Sequence, residues 1–189
     1  MSKAFSEMVP LGTKAPDFYL EDVTSKNMFD FYKIKGAKGT LVFFICNHCP
    51  YVHHIMNDLI MIANDYRVQG IGFVAISSND YTEYPEDAPE KMVDFAFENN
   101  FEFPYLIDHE QEVAKKYHAA CTPDFYLFDQ QDKLVYRGQM DDSRPGNKIA
   151  TSGTDIRNAI DSILYNRSVN PVQKPSMGCN IKWKKNSEL

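Results

Sequence analysis

The sequence predicts an α/β fold with a mixed central sheet flanked by helices. Two continuously apolar runs, residues 40–45 and 71–76, read as strands covered on both faces. Between them, from about 47 to 66, Val52, Ile55, Leu59, Ile62, Ala63 and Tyr66 recur at three- and four-residue steps. That period gives a helix with one buried stripe. A later pair of short apolar runs, 125–128 and 134–136, flanks Asp129-Gln130-Gln131-Asp132 and reads as a hairpin. Strand, crossover helix, strand and late hairpin is the order of a sheet that mixes parallel and antiparallel pairs.

The remaining elements follow in order. Residues 1–16 read as a leader ending in Lys14-Ala15-Pro16, followed by a short strand at 18–20, a turn at 21–27 and a return strand at 28–31. Gly70 ends the first long helix. Residues 79–89 are acidic and contain proline, hence a loop, and Asp87 with Glu90 offers a capping box for a helix through Phe97. A short strand at 105–107 and a short helix at 110–117 precede the hairpin. The last helix runs from 154 to about 165 with Ile156, Ile160, Ile163 and Leu164 on one face. One domain over 10–167 and a C-terminal tail over 168–189 are expected.

With 189 residues, the chain can bury one sizeable core. A net charge of −6 argues against nucleic acid or an anionic membrane as partner. The first eleven residues lack the apolar core of a signal peptide, and no apolar run is long enough to cross a bilayer. The expected compartment is therefore cytoplasmic and reducing. Four cysteines there point to catalysis, metal binding or burial before structural disulfides.

The chemistry concentrates in Cys46-Asn47-His48-Cys49, at the end of the run Leu41-Val42-Phe43-Phe44-Ile45. A thiol at a helix N-terminus faces unpaired N–H groups and the positive end of the macrodipole, which stabilise the nucleophilic thiolate. Read as a redox dithiol, Cys46 sits near the N-cap and attacks, and Cys49 lies one turn in and resolves. Read as a metal site, Cys46 and Cys49 would recruit His53, one turn beyond Cys49. Plain burial of both thiols is the third reading. No second closely spaced cysteine pair completes a metal set, so the redox reading leads. His48, between the thiols, is expected to lower the Cys46 pKa as an imidazolium. His54 reads as helix surface.

Thr122-Pro123 precedes the strand at 125–128, where proline starts a strand rather than continuing one. Asp124 beside it is a candidate for proton transfer at the dithiol. Cys121 reads as a packed core thiol. Cys179, in Met177-Gly178-Cys179-Asn180-Ile181-Lys182-Trp183, reads either as a third redox thiol or as an anchor for the tail.

Three segments together resemble the alkyl hydroperoxide reductase and thiol-specific antioxidant group, the peroxiredoxin-like members of the thioredoxin superfamily. They are Gly12 with Ala15-Pro16-Asp17-Phe18, the run Phe43 to Pro50, and Thr122-Pro123-Asp124-Phe125-Tyr126-Leu127-Phe128-Asp129. The chain is most similar to a subgroup that carries a CxxC dithiol. The resemblance implies a thioredoxin-like fold with an N-terminal β-hairpin extension and an extended C-terminal tail. It also implies a cis Thr122–Pro123 bond opposite the dithiol, exposing the backbone of Thr122 to substrate. The chain departs from peroxiredoxins at Cys46 and Val42, where they carry a threonine or serine and a proline, and in lacking their supporting arginine. Without that hydroxyl and guanidinium, charge on a breaking O–O bond is poorly stabilised. The expected activity is therefore that of a thiol–disulfide oxidoreductase, with no cofactor. Its substrate would be a disulfide-containing protein or small molecule, and its electrons would come from a separate thiol donor. The alternatives are a slow antioxidant peroxidase using Cys49, and a metal-binding or redox-sensing module using Cys46, Cys49 and His53.

Overall fold

The computed structural model describes residues 2–185. Strand β1 (Lys3–Phe5) comes first, then the hairpin of β2 (Tyr19–Asp22) and β3 (Met28–Asp30). Helix α1 (Phe31–Ile34) is a single turn, capped by the Asp30 carboxylate, which accepts from the Lys33 N–H. There follow β4 (Gly39–Phe44), α2 (Pro50–Arg67), β5 (Ile71–Ser77), α3 (Pro89–Glu98) and β6 (Tyr105–Ile107). The chain continues through α4 (Glu112–Tyr117), β7 (Cys121–Thr122), β8 (Asp124–Asp129), β9 (Leu134–Gly138), α5 (Thr154–Leu164) and β10 (Met177–Asn180).

A seven-stranded sheet runs β3-β2-β6-β5-β4-β8-β9. Strands β4, β5 and β6 are parallel, connected by α2 and α3, and β8 and β9 add antiparallel at one side. The β2–β3 hairpin extends the other edge through β6. This is the expected thioredoxin-like α/β architecture with its N-terminal hairpin. Every residue of β4 is buried, as its unbroken apolar run requires. Alternation along the strand sends Leu41, Phe43 and Ile45 to the face packed by α2 and α5, and Val42 and Phe44 to the face packed by α1 and α4. Among the described residues, no helix is long and apolar enough to cross a membrane.

Both chain ends correct the sequence reading. The leader contains a strand, and the tail is built into the fold: β10 lies between β1 and β7 in a separate three-stranded sheet. Cys179 is paired with Lys3 on one side and with Thr122 on the other. These strands are too short to show a hydrophobic period, and their pairing is held by backbone groups that composition does not display. Phe31, expected in the return strand, instead opens α1. The capping box is also overturned, because α3 begins at Pro89 with Ala88 as its N-cap. Proline at the first helical position keeps the residue before it extended, so Asp87 falls outside the helix.

Gly178 sits where a Cβ would overlap the Thr122 carbonyl oxygen, so β10 approaches β7 at this register only because the residue has no side chain. Gly178→Val is expected to force the strands apart at a cost of about 1–3 kcal/mol. Urea unfolding should show the lower midpoint, and native-state alkylation of Cys179 should become faster.

Candidate active site

The helix carrying the dithiol starts where Pro50 allows it to start. Proline has no N–H to lose at the first helical position and biases the residue before it away from helical backbone. Cys49 accordingly takes φ −80 and ψ 119 and is the N-cap of α2. Its carbonyl accepts from the N–H groups of Val52 and His53, each at 3.0 Å. The expectation that Cys46 occupies the N-cap with Cys49 one turn in is corrected. Cys46 ends the extended run after β4, Asn47 and His48 make the turn, and Cys49 faces the helix N-terminus.

Three sulfurs meet there. Cys49 Sγ is 3.0 Å from Cys179 Sγ, and as a thiol it donates to the Thr122 carbonyl oxygen at 3.1 Å. Cys46 Sγ is 3.3 Å from Thr122 Oγ1. Cys46, Cys49 and Cys179 are all buried, and among the described residues the cysteines are thiols, not disulfides. The Cys49 thiol is held far below its ordinary value of 9.0, because its thiolate can accept S–H donation first from Cys179 and then from Cys46. Those two donors are correspondingly raised: Cys46 by donating to Cys49, by burial and by the charge of Asp87, and Cys179 by donating to Cys49 and by burial.

A second group of side chains closes over the turn. The Asp87 carboxylate, 1% exposed, accepts from the Asn47 N–H and from Asn79 Nδ2, each at 2.8 Å. Its Oδ2 also lies 2.7 Å from His48 Nδ1. That hydrogen bond raises the His48 pKa above its ordinary 6.5, against the opposing effect of burial. The imidazole stacks on Tyr84, with ring centroids 5.7 Å apart and planes 10° apart. Asn47 is itself clamped: its Nδ2 donates to the Glu86 carbonyl at 2.9 Å, and Tyr105 donates to its Oδ1 at 3.0 Å. Side-chain atoms of Cys46, His48 and Asp87 lie within 4.8 Å of one another. Such a set can move a proton between Cys46 and His48, or hold a thiophilic metal.

The other sequence-predicted residues divide clearly. The Thr122–Pro123 bond is cis, as the resemblance implied. Thr122 touches both Cys46 and Cys49, but its backbone is not open: β10 pairs with it and leaves Thr122 2% exposed. His53 is not gathered with the thiols, since its Nε2 lies 2.6 Å from the Asn47 carbonyl oxygen. Asp124 leads β8 toward the opposite face, the one that buries Tyr126 and Phe128, whereas Phe125 and Leu127 share the face of the thiols. Its carboxylate accepts from Tyr126 at 3.0 Å, and burial pushes it up to about 7 against the nearby charge of Arg137. Cys121 is the buried packing thiol expected of it. Sequence reasoning missed Asp87, Asn79 and Tyr84. The signal was the bracketing pair Pro85 and Pro89, which excludes Asp87 from the helix and frees its carboxylate.

Residues 11–137 match the AhpC/TSA family. The chain belongs to this family. Two solved structures cover nearly all of it. One, an uncharacterized conserved protein from Geobacillus kaustophilus, is 52% identical, with TM-score 0.97 over 99% of both chains. The other, a hypothetical protein from Sinorhizobium meliloti 1021, is 45% identical, with TM-score 0.94 over 96% of this chain and 99% of that one. The thiol-disulfide oxidoreductase ResA of Geobacillus kaustophilus is 28% identical over 127 residues, 67% of each chain. In this AhpC/TSA chain, residues 138–185 beyond the matched segment supply α5, β10 and the third thiol.

The His48–Asp87 pair carries a sign that can be checked. Folded protein holds the His48 proton more tightly than the unfolded chain does. Its contribution to stability is therefore complete below the ordinary value of 6.5 and is lost as pH rises through the raised folded value. Asp87→Asn is expected to bring the His48 titration seen by NMR back toward 6.5 and to flatten the fall in Tm over that window.

Proposed function

We propose that this AhpC/TSA-family protein is a thiol–disulfide oxidoreductase working through the Cys46/Cys49 dithiol. The observation that carries this reading is Cys49 at the N-cap of α2 with a second thiol on either side of it. Its relative ResA, a thiol-disulfide oxidoreductase, supports the same reading. The roles are reversed from the expectation drawn on sequence. Cys49 thiolate attacks one sulfur of the substrate disulfide, and the departing thiolate takes a proton from the His48 imidazolium. Neutral His48 then accepts the proton of Cys46. The new Cys46 thiolate attacks the Cys49 sulfur, forming the Cys46–Cys49 disulfide and expelling the second substrate thiolate. The substrate leaves reduced by two electrons and the dithiol is oxidised by two. A separate thiol donor returns it to the reduced state.

Thr122 and Pro123 form the wall against which this pair works, and His48 and Asp87 hold the proton. The metal alternative now falls on Cys46, His48 and Asp87 rather than His53. Both Asp87 oxygens already serve Asn47, Asn79 and His48, which favours proton handling over ligation. A cytoplasmic, reducing setting belongs to this reading and rests on the sequence alone. The substrate is a disulfide in a protein or small molecule, with neither nucleic acid nor membrane as partner.

Mixed-disulfide trapping separates the two role orders. The double variant Cys46→Ser with Cys179→Ser, which leaves Cys49 without a neighbouring thiol to resolve it, is expected to accumulate a mixed disulfide on Cys49, while Cys49→Ser loses about two orders of magnitude or more in disulfide reduction. Trapping of a mixed disulfide on Cys46 in Cys49→Ser would restore the original order. Stopped-flow measurement of hydrogen peroxide consumption is expected to show a rate no better than free cysteine. The reason is that Arg137 is buried against Tyr126, on the face of the sheet away from the thiols.

A further inference from the structure

We infer that Cys179 is a third redox-active thiol, exchanging directly with Cys49 so that oxidising equivalents pass from the Cys46–Cys49 pair to strand β10. This rests on the oxidoreductase reading above and extends it. Cys179 Sγ lies 3.0 Å from Cys49 Sγ, against about 2.0 Å in a formed disulfide. Closing the bond needs a movement of roughly 1 Å, within the reach of side-chain rotation.

The approach is built into the backbone. Cys179 is in register with Thr122 on one side and Lys3 on the other, so its position is held by a strand at each edge. Gly178 beside it admits the close contact with Thr122. Ser176 donates through Oγ to the Pro123 carbonyl at 2.7 Å, and its N–H donates to Ser6 Oγ at 2.7 Å. Beyond β10, the Lys182 N–H donates to Asn79 Oδ1 at 2.8 Å, and the Lys182 carbonyl accepts from the Asp80 N–H at 2.8 Å. Asn79 is the same side chain that donates to Asp87. The strand presenting the third sulfur and the carboxylate that holds His48 are thus fastened to one residue.

The step conserves atoms and electrons. In the oxidised enzyme the Cys179 thiolate attacks Cys49 Sγ. The Cys49–Cys179 bond forms as the Cys46–Cys49 bond breaks, and Cys46 leaves as a thiolate that takes up the proton Cys179 gave up. No external oxidant or reductant enters. The disulfide moves by one sulfur, and Cys46 is returned as a thiol beside His48 and Asp87.

The test oxidises the full-length reduced protein with hydroxyethyl disulfide, quenches in acid, alkylates and maps the linked cysteines by mass spectrometry. Wild-type protein should yield both Cys46–Cys49 and Cys49–Cys179 linkages. Cys46→Ser should yield Cys49–Cys179 as its internal disulfide, with alkylation of Cys179 falling about tenfold. Cys179→Ser should retain Cys46–Cys49 alone. Full alkylation of Cys179 in oxidised wild type and in Cys46→Ser, with Cys46–Cys49 still formed, overturns the third-thiol inference and leaves the dithiol reading standing. Absence of any internal disulfide in all three proteins overturns both.

Discussion

The point at which α2 can begin governs the chemistry of this protein. Pro50 is compatible with the first helical position and disfavours a helical residue before it. Cys49 is therefore the N-cap, and Cys46 lies three residues before it, outside the helix. Cys46 is left at the end of the extended run, against the Thr122 hydroxyl and within reach of His48 and Asp87. A dithiol that would read the same in any CxxC sequence thus acquires a direction. One sulfur sits where a thiolate is stabilised, and the other where a proton can be removed.

A second proline sets the partner. Because α3 cannot start before Pro89, Asp87 stays outside the helix, and its carboxylate turns inward to the turn between the cysteines. A charge with 1% exposure is tolerable only when every oxygen is engaged, and here Asn47, Asn79 and His48 engage them. Asn79 passes the connection on to the Lys182 backbone and so to the segment that carries Cys179. Helix start, buried acid and C-terminal strand form one polar network around three thiols.

Much of the framework was legible. The unbroken apolar run of β4, the three-to-four period of α2 and the turn at Asp129–Asp132 each announce an element whose local pattern agrees with its place in the fold. The cysteines, His48 and Thr122-Pro123 stood out for the same reason, since their chemistry is local to the chain. Asp124 misled because Thr122, two residues before it, touches both thiols while strand alternation turns Asp124 to the opposite face. His53 misled because helical spacing from Cys49 says nothing of the Asn47 carbonyl that captures its ring.

The sequence by itself determined the α/β framework, the AhpC/TSA resemblance and the identity of the reactive residue types. These follow from periodicity, from proline and from side-chain chemistry, all of which act over a few residues. Only the tertiary structure decided that Cys49 is the N-cap of α2, that the Asp87 carboxylate reaches the turn between the cysteines while Asp124 turns to the opposite face, and that Cys179 lies against Cys49. Those outcomes depend on contacts between residues 40 to 130 positions apart in the chain. Backbone pairing and close packing bring them together, and neither leaves a local signature in the residues it joins.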